Sequence, residues 1–256
     1  QSDAGEVVFS TGMVGYPESL TDPSYLGQIL ILTYPLIGNY GVPDKKFWES
    51  DSIKVSGLIV SHYIDIPNHF QSKMTLASWL QQESIPALEI ADTRFLTQKI
   101  RTKGTMLGKI IISKDLPFYN PDKDNLVTQV STKKIKEQGR GTKTILLIDC
   151  GAKKNIIRSL VKRGVRVISV PWDYNPFING HKFDGIVVSN GPGNPKRVVE
   201  TIKILEEAVI KKIPILGICL GHQLLALASG GDTYKLKFGH RSQNQPCLLV
   251  GTQRCY

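Results

Sequence analysis

Apolar and polar positions along the chain change rhythm near residue 144. Before it, short apolar runs are separated by turn residues and two helical stripes. Val7-Val8-Phe9 reads as a strand and leads into a Gly- and Pro-marked stretch, 12-GMVGYPESLTDPSY-25. The runs 29-ILILTY-34, 57-GLIVSHY-63 and 106-MLGKIIIS-113 also read as strands. A helix is predicted over about 74–83, with Leu76, Trp79 and Leu80 on one face. Another is bracketed by Asp92 as cap and Gly104 as stop, with Phe95, Leu96 and Ile100 as its stripe. Residues 114–143 are rich in Pro, Asp, Lys and Gly and are predicted to connect the halves with little core of their own.

From Thr144 onward strand and helix alternate. The strands are 144-TILLID-149, 165-VRVISV-170, 183-FDGIVVS-189 and 214-PILGI-218. Between them lie helices over 153–163, with Ile156, Ile157, Leu160 and Val161 on one side, and over about 196–211. A last helix runs from Cys219 through Ala228, and 233-TYKLKF-238 suggests a hairpin strand. Short apolar strands alternating with helices indicate a mainly parallel, doubly wound sheet covered on both faces. The expected fold class is α/β: a mixed N-terminal domain over 1–113, a linker over 114–143 and the doubly wound domain over 144–256.

Composition narrows this little. At 256 residues the chain can hold one large or two modest domains, and 41% hydrophobic with 21% charged residues is ordinary for a soluble protein. The longest apolar run, 215-ILGICLGHQLLALA-228, includes two glycines, a histidine and a glutamine and is short for a membrane span. The four cysteines show no metal or redox spacing, which suits a reducing compartment and predicts no metal site. The net charge of +10 gathers in 133-KKIKEQGRGTK-143 and 153-KKNIIRSLVKRGVR-166. No nucleic-acid recognition signature accompanies it, so these stretches read as solvated faces or a docking surface for an acidic partner. No signal peptide opens the chain, and its first residue is Gln1 rather than Met, so it is expected to be a piece of something longer.

In parallel sheets ligands sit at the carboxyl ends of strands. Two unusual segments fall at that edge: 190-NGPGNP-195 and 217-GICLG-221. The latter has the form G-x-C-x-G, the cysteine analogue of a nucleophile elbow. A sharp strand-to-helix turn pushes Cys219 out toward substrate, the glycines leave room for it, and the following helix turns its positive end to the sulfur. The backbone N–H of Leu220 can then bind a developing oxyanion, with a second donor from the loop Gly191–Gly193.

With these residues in view, the chain resembles the glutamine-hydrolysing part of carbamoyl-phosphate synthetase, a class I glutamine amidotransferase. It is most similar to the pyrimidine-pathway form in animal-type multifunctional proteins that also carry aspartate carbamoyltransferase and dihydroorotase. The resemblance is carried by 5-GEVVFSTGMVGYPESLTDPSYLGQILILTYPLIGNYG-41, by 188-VSNGPGNP-195 with 216-LGICLGHQLLALASG-230, and by 244-NQPCLLVGTQRCY-256. It implies that Cys219 attacks the side-chain amide of glutamine to form a thioester and release ammonia. The amides of Gly191 and Leu220 would form the oxyanion hole. Ser24, Gly193 and Gln223, together with Gly191 and Leu220, would contact the glutamine. It further implies no cofactor for the glutaminase, a large synthetase domain or subunit that receives the ammonia and uses ATP, Mg and bicarbonate, and a cytoplasmic location. The urea-cycle form in mammals has serine at the nucleophile position; here the cysteine is present.

The family's general base is a histidine in a late His-Pro-Glu segment, and no such segment occurs in these 256 residues. Of His62, His69, His181, His222 and His240 none is assigned as the base; His222 is expected to be a packed or hydrogen-bonded helix residue. Asn194 stands where the family often has Asp, and Ser242 where Gly is common. The expectation is therefore a fragment whose parent hydrolyses glutamine while the isolated chain does not. The alternatives are a non-catalytic docking or regulatory piece of the same assembly and a different cysteine hydrolase on the same sheet.

Overall fold

Five runs of the first half pair into one sheet. In the computed structural model, which describes residues 1–239 and 247–255, β1 (Asp3–Ser10), β2 (Gln28–Leu32), β3 (Gly57–Val60) and β4 (Ala87–Glu89) lie parallel. β5 (Met106–Ile110) runs antiparallel beside β1, giving the order β4-β3-β2-β1-β5. Successive strand residues point to opposite faces. Val8, Leu30, Leu32, Leu58 and Val60 therefore meet one helical layer, α1 (Tyr16–Thr21) and α2 (Leu76–Gln82), together with Trp48. Ile29, Ile31 and Ile59 meet the other, where Ile100 of α3 (Thr93–Lys103) is buried.

The capping chemistry of α3 follows the sequence: Asp92 Oδ1 accepts from the Phe95 amide at 2.7 Å, and Gly104 closes the helix at φ 96°. Its inward face follows only in part, since Ile100 is buried and Leu96 packs beside it. Thr93, Thr97 and Ile100 are buried, whereas Phe95, on the opposite side of the helix, is 58% exposed. β4 is too short to give a strand signal, and its three residues, Ala87 and Leu88 included, are all exposed.

Residues 114–143 do more than connect. α4 (Val127–Val130) and the residue before it place Val127 and Leu126 in buried positions, and β6 (Lys136–Gln138) pairs antiparallel with β8 (Arg166–Pro171). β7 (Thr144–Asp149), β9 (Gly185–Val188) and β10 (Ile215–Gly217) complete the second sheet, in the order β10-β9-β7-β8-β6, with all but β6 parallel. Leu147, Val167 and Val187 pack on one face against the stripe Ile156, Ile157, Leu160 and Val161 of α5 (Lys154–Lys162). Leu146, Ile148, Ile186 and Val188 pack on the other. There they meet α7 (Val199–Ile210) and α8 (Leu220–Ala228), which follow the short α6 (Pro176–Asn179). This is the expected α/β, doubly wound arrangement.

The run 233-TYKLKF-238 forms no strand. It crosses to the first sheet instead. Lys237 O accepts from the Thr105 amide at 2.9 Å, the Phe238 ring lies tilted beside Phe9 with centroids 6.1 Å apart, and Lys235 Nζ bridges Glu6 and Asp122, 2.5 Å from each. His240, Ser242 and the start of 244-NQPCLLVGTQRCY-256 lie outside the described residues.

The packing predicts a contrast measurable by urea unfolding. Leu146→Ala, in the fully buried core of the second sheet, should cost about 2–5 kcal/mol. Phe95→Ala, on the exposed side of α3, should cost less than about 0.5 kcal/mol.

Candidate active site

Cys219 occupies the N-cap position of α8 with φ 53° and ψ −107°. A residue bearing a Cβ reaches that region at a cost of about 1–3 kcal/mol, and only where the surroundings over-determine it. Here they do. The Ile218 amide donates to Val188 O at 2.9 Å, the Gly221 amide to Ser189 O at 3.1 Å and Ile218 O at 3.0 Å, and the Gln223 amide to Cys219 O at 3.1 Å. A Cβ on Gly217 would lie 2.6 Å from backbone atoms of Gly221 and His222, and one on Gly221 would lie 2.2 Å from Val188 O. Both glycines are thus required by close backbone approach.

The Gly221 amide is committed, whereas Leu220 is the first residue of α8, where an amide has no acceptor within the helix. Across from it, a Cβ on Gly191 would lie 2.8 Å from Leu220 Cδ2 and 2.1 Å from Cys150 O. The glycine loop after β9 therefore lies directly on the cysteine turn. Gly193, with φ 84°, faces Leu126.

The side of the site opposite the cysteine turn comes from the first domain. Asn190 is 3% exposed. Its Nδ2 donates to Ser24 Oγ at 2.9 Å and to Asp22 Oδ1 at 3.3 Å, and its Oδ1 accepts from the Lys153 amide at 3.0 Å. Asp22 Oδ1 also accepts from the Ser24 amide at 2.9 Å, and Asp22 Oδ2 lies 2.8 Å from Lys153 Nζ. Burial alone would pull the Lys153 ammonium down. The charge and hydrogen bond of Asp22, with Glu49 and Cys219 behind it, more than offset that and hold its pKa above the ordinary lysine value. Cys150, by contrast, is buried beneath the site; burial, and then Asp149, pushes its thiol up.

All six residues expected from the sequence, Ser24, Gly191, Gly193, Cys219, Leu220 and Gln223, line one cleft between the domains. Three further members, Asp22, Lys153 and Asn190, are not candidates from the sequence. Asn190 and Asp22 lie inside the motifs given above, and Lys153 lies in a basic stretch whose pattern suggests a solvated face or a docking surface. The position of Asn190 at a strand end, immediately before the glycine loop, is the signal that could have marked it.

The histidines fall as follows. His222 lines the cleft but is exposed on α8 rather than packed. His69 lines it too, its ring beside Tyr40 and Phe70. His62 Nδ1 lies 3.3 Å from Glu89, and His181 Nδ1 2.5 Å from the Tyr174 hydroxyl. Among the described residues no group of His, Cys, Asp and Glu could hold a metal ion, and no helix is long and apolar enough to cross a membrane.

A doubly wound sheet whose cysteine turn meets a glycine loop defines the class: residues 146–256 match the family model for glutamine amidotransferase class-I. Residues 1–110 match that for the carbamoyl-phosphate synthase small chain, CPSase domain. The arginine-specific small chain of carbamoyl phosphate synthase from Saccharomyces cerevisiae is 48% identical, covering 100% of this chain and 67% of its own length. The chain belongs to the carbamoyl-phosphate synthase small-chain family. Multifunctional protein CAD of Squalus acanthias is 50% identical over 99% of this chain, which spans 12% of that protein. The human mitochondrial carbamoyl-phosphate synthase [ammonia] is 45% identical over 100% of this chain, which spans 18% of it.

The raised pKa values of Lys153 and Lys235, whose partners are Asp22 and the pair Asp122 and Glu6, fix a pH dependence. A lysine whose folded pKa exceeds its unfolded one contributes stability that is complete below the unfolded value and lost as pH rises through the folded value. Unfolding free energy should therefore fall above about pH 10.4. Lys153→Met should flatten that decline in a urea series across alkaline pH; an unchanged slope contradicts the pairing.

Proposed function

We propose that the chain is the ammonia-generating part of a glutamine-dependent carbamoyl-phosphate synthase. The strained φ of Cys219 at the tip of the β10–α8 turn carries this reading, because a thiol is held there at a backbone cost that packing alone does not need. Cys219 attacks the carboxamide carbon of glutamine. The carbonyl oxygen takes the developing charge against the amides of Gly191 and Leu220, ammonia leaves and a thioester remains. Ser24, held by Asn190, and Gly193 receive the amino-acid end, and Gln223 contacts the substrate one turn into α8. Lys153 and the helix N-terminus favour negative charge at the sulfur.

The glutaminase step takes no cofactor; ATP, Mg and bicarbonate belong to the synthetase partner that receives the ammonia. A pyrimidine-pathway role in the cytoplasm belongs to the same proposal and follows from the sequence resemblance to the pyrimidine-pathway form of the family. We take 1–113 and 144–256 as the two domains, with 114–143 between them contributing β6 to the second sheet. No His-Pro-Glu segment occurs in these 256 residues. General acid–base catalysis is worth about 10²–10⁴-fold, so the chain alone accepts glutamine but turns it over poorly.

A haloketone analogue of glutamine tests this. It should alkylate Cys219 in preference to the exposed Cys247 and Cys255, glutamine should protect, and ammonia release should stay near background. Labelling spread evenly over the three cysteines would overturn the glutamine reading, and brisk ammonia release would overturn the dependence on an absent base.

A further inference from the structure

Glu49 belongs to neither the cysteine turn nor the glycine loop, yet it is 7% exposed at the junction of the two domains. Its amide donates to Thr21 Oγ1 at 2.9 Å, and Thr21 immediately precedes Asp22. Its carbonyl accepts from the Lys154 amide at 2.9 Å, its Oε2 from the Asn155 amide at 2.8 Å, and its Oε1 lies 3.2 Å from Arg158 Nη2. Arg158 Nη1 returns to the carbonyls of Lys46 and Trp48. α5 has no side-chain cap of its own, because Lys153 at the N-cap position offers no acceptor. Glu49 supplies that cap from the other domain, at the helix end that favours a carboxylate.

The consequence is a closed ring of contacts. Thr21 holds Glu49, Glu49 holds the first turn of α5, and Lys153 precedes that turn. Lys153 in turn holds Asp22 through its ammonium and Asn190 through its amide. Asp22 and Asn190 are the two groups that fix Ser24.

We propose that Glu49 is a positioning residue for the glutamine site: by capping α5 across the domain boundary it sets where Ser24 stands relative to Cys219. The inference rests on the reading of Ser24 as a glutamine contact. A brace that served stability alone would leave glutamine affinity unchanged.

The test reads the glutamine concentration that halves alkylation of Cys219 by the haloketone analogue, in the whole chain. Glu49→Ala should raise it about 10-fold, while alkylation of Cys219 by iodoacetamide changes by less than about 3-fold. Glu49→Gln, which keeps an oxygen for the Asn155 amide, should restore protection to within about 3-fold of the original. Glu49→Ala added to Ser24→Ala should weaken protection by no more than about 2-fold further, because the two act through one contact. Where Glu49→Ala does not fold, Glu49→Asp carries the test: it keeps a charge near Arg158 but falls a methylene short of the Asn155 amide, and the same loss is expected. Protection at the original concentration in Glu49→Ala or Glu49→Asp, or losses that multiply in the double variant, overturns the inference. Labelling of the unsubstituted chain that glutamine does not slow overturns the glutamine reading itself.

Discussion

The arrangement of the cleft depends on one buried carboxamide. Asn190 uses both ends: its nitrogen reaches Ser24 and Asp22 in the first domain, and its oxygen takes the Lys153 amide at the start of α5. An unpaired amide at that depth would be costly, so the geometry that satisfies it is strongly specified. That geometry fixes the two sheets against each other at the carboxyl ends of β7 and β9, beside the turn that carries Cys219. On the proposed reading the glutamine site is not completed by the doubly wound domain alone, because Ser24 belongs to the other one.

Charge is distributed to the same end. The chain is basic overall, yet the acids at the domain junction, Asp22, Glu49, Asp51 and Glu6, come from the first domain. Their partners Lys153, Arg158, Lys154 and Lys235 come from the second. The better-buried acids, Asp22, Glu49 and Glu6, are each matched by a cation, which is how ionised groups remain tolerable away from water. Part of the stretch 153-KKNIIRSLVKRGVR-166 is therefore an internal docking face rather than a surface for an outside partner.

Much of the local structure was legible in the sequence because it is decided locally. The caps Asp92 and Gly104, the α5 stripe, and the strand over Thr144–Asp149 follow from periodicity and turn chemistry. The G-x-C-x-G turn was legible for the same reason: both glycines are demanded by atoms a few residues away or on the adjacent strand. What was not legible is decided at long range. β4 and β6 are three-residue, exposed edge strands, too short for a pattern and held by backbone partners. The run 233–238 alternates like a strand, but Lys235 and Phe238 are claimed by Glu6 and Phe9, more than two hundred residues earlier. Asn190, Asp22 and Lys153 matter only through one another, and no spacing along the chain links them.

On the proposed reading both domains grip one glutamine around Cys219. A crystal structure of this chain alkylated by a haloketone analogue of glutamine would decide it. The adduct should lie on Cys219, with its oxygen between the amides of Gly191 and Leu220 and its amino-acid end against Ser24. An adduct whose amino-acid end makes no contact with the first domain, or whose oxygen turns away from those two amides, would contradict it.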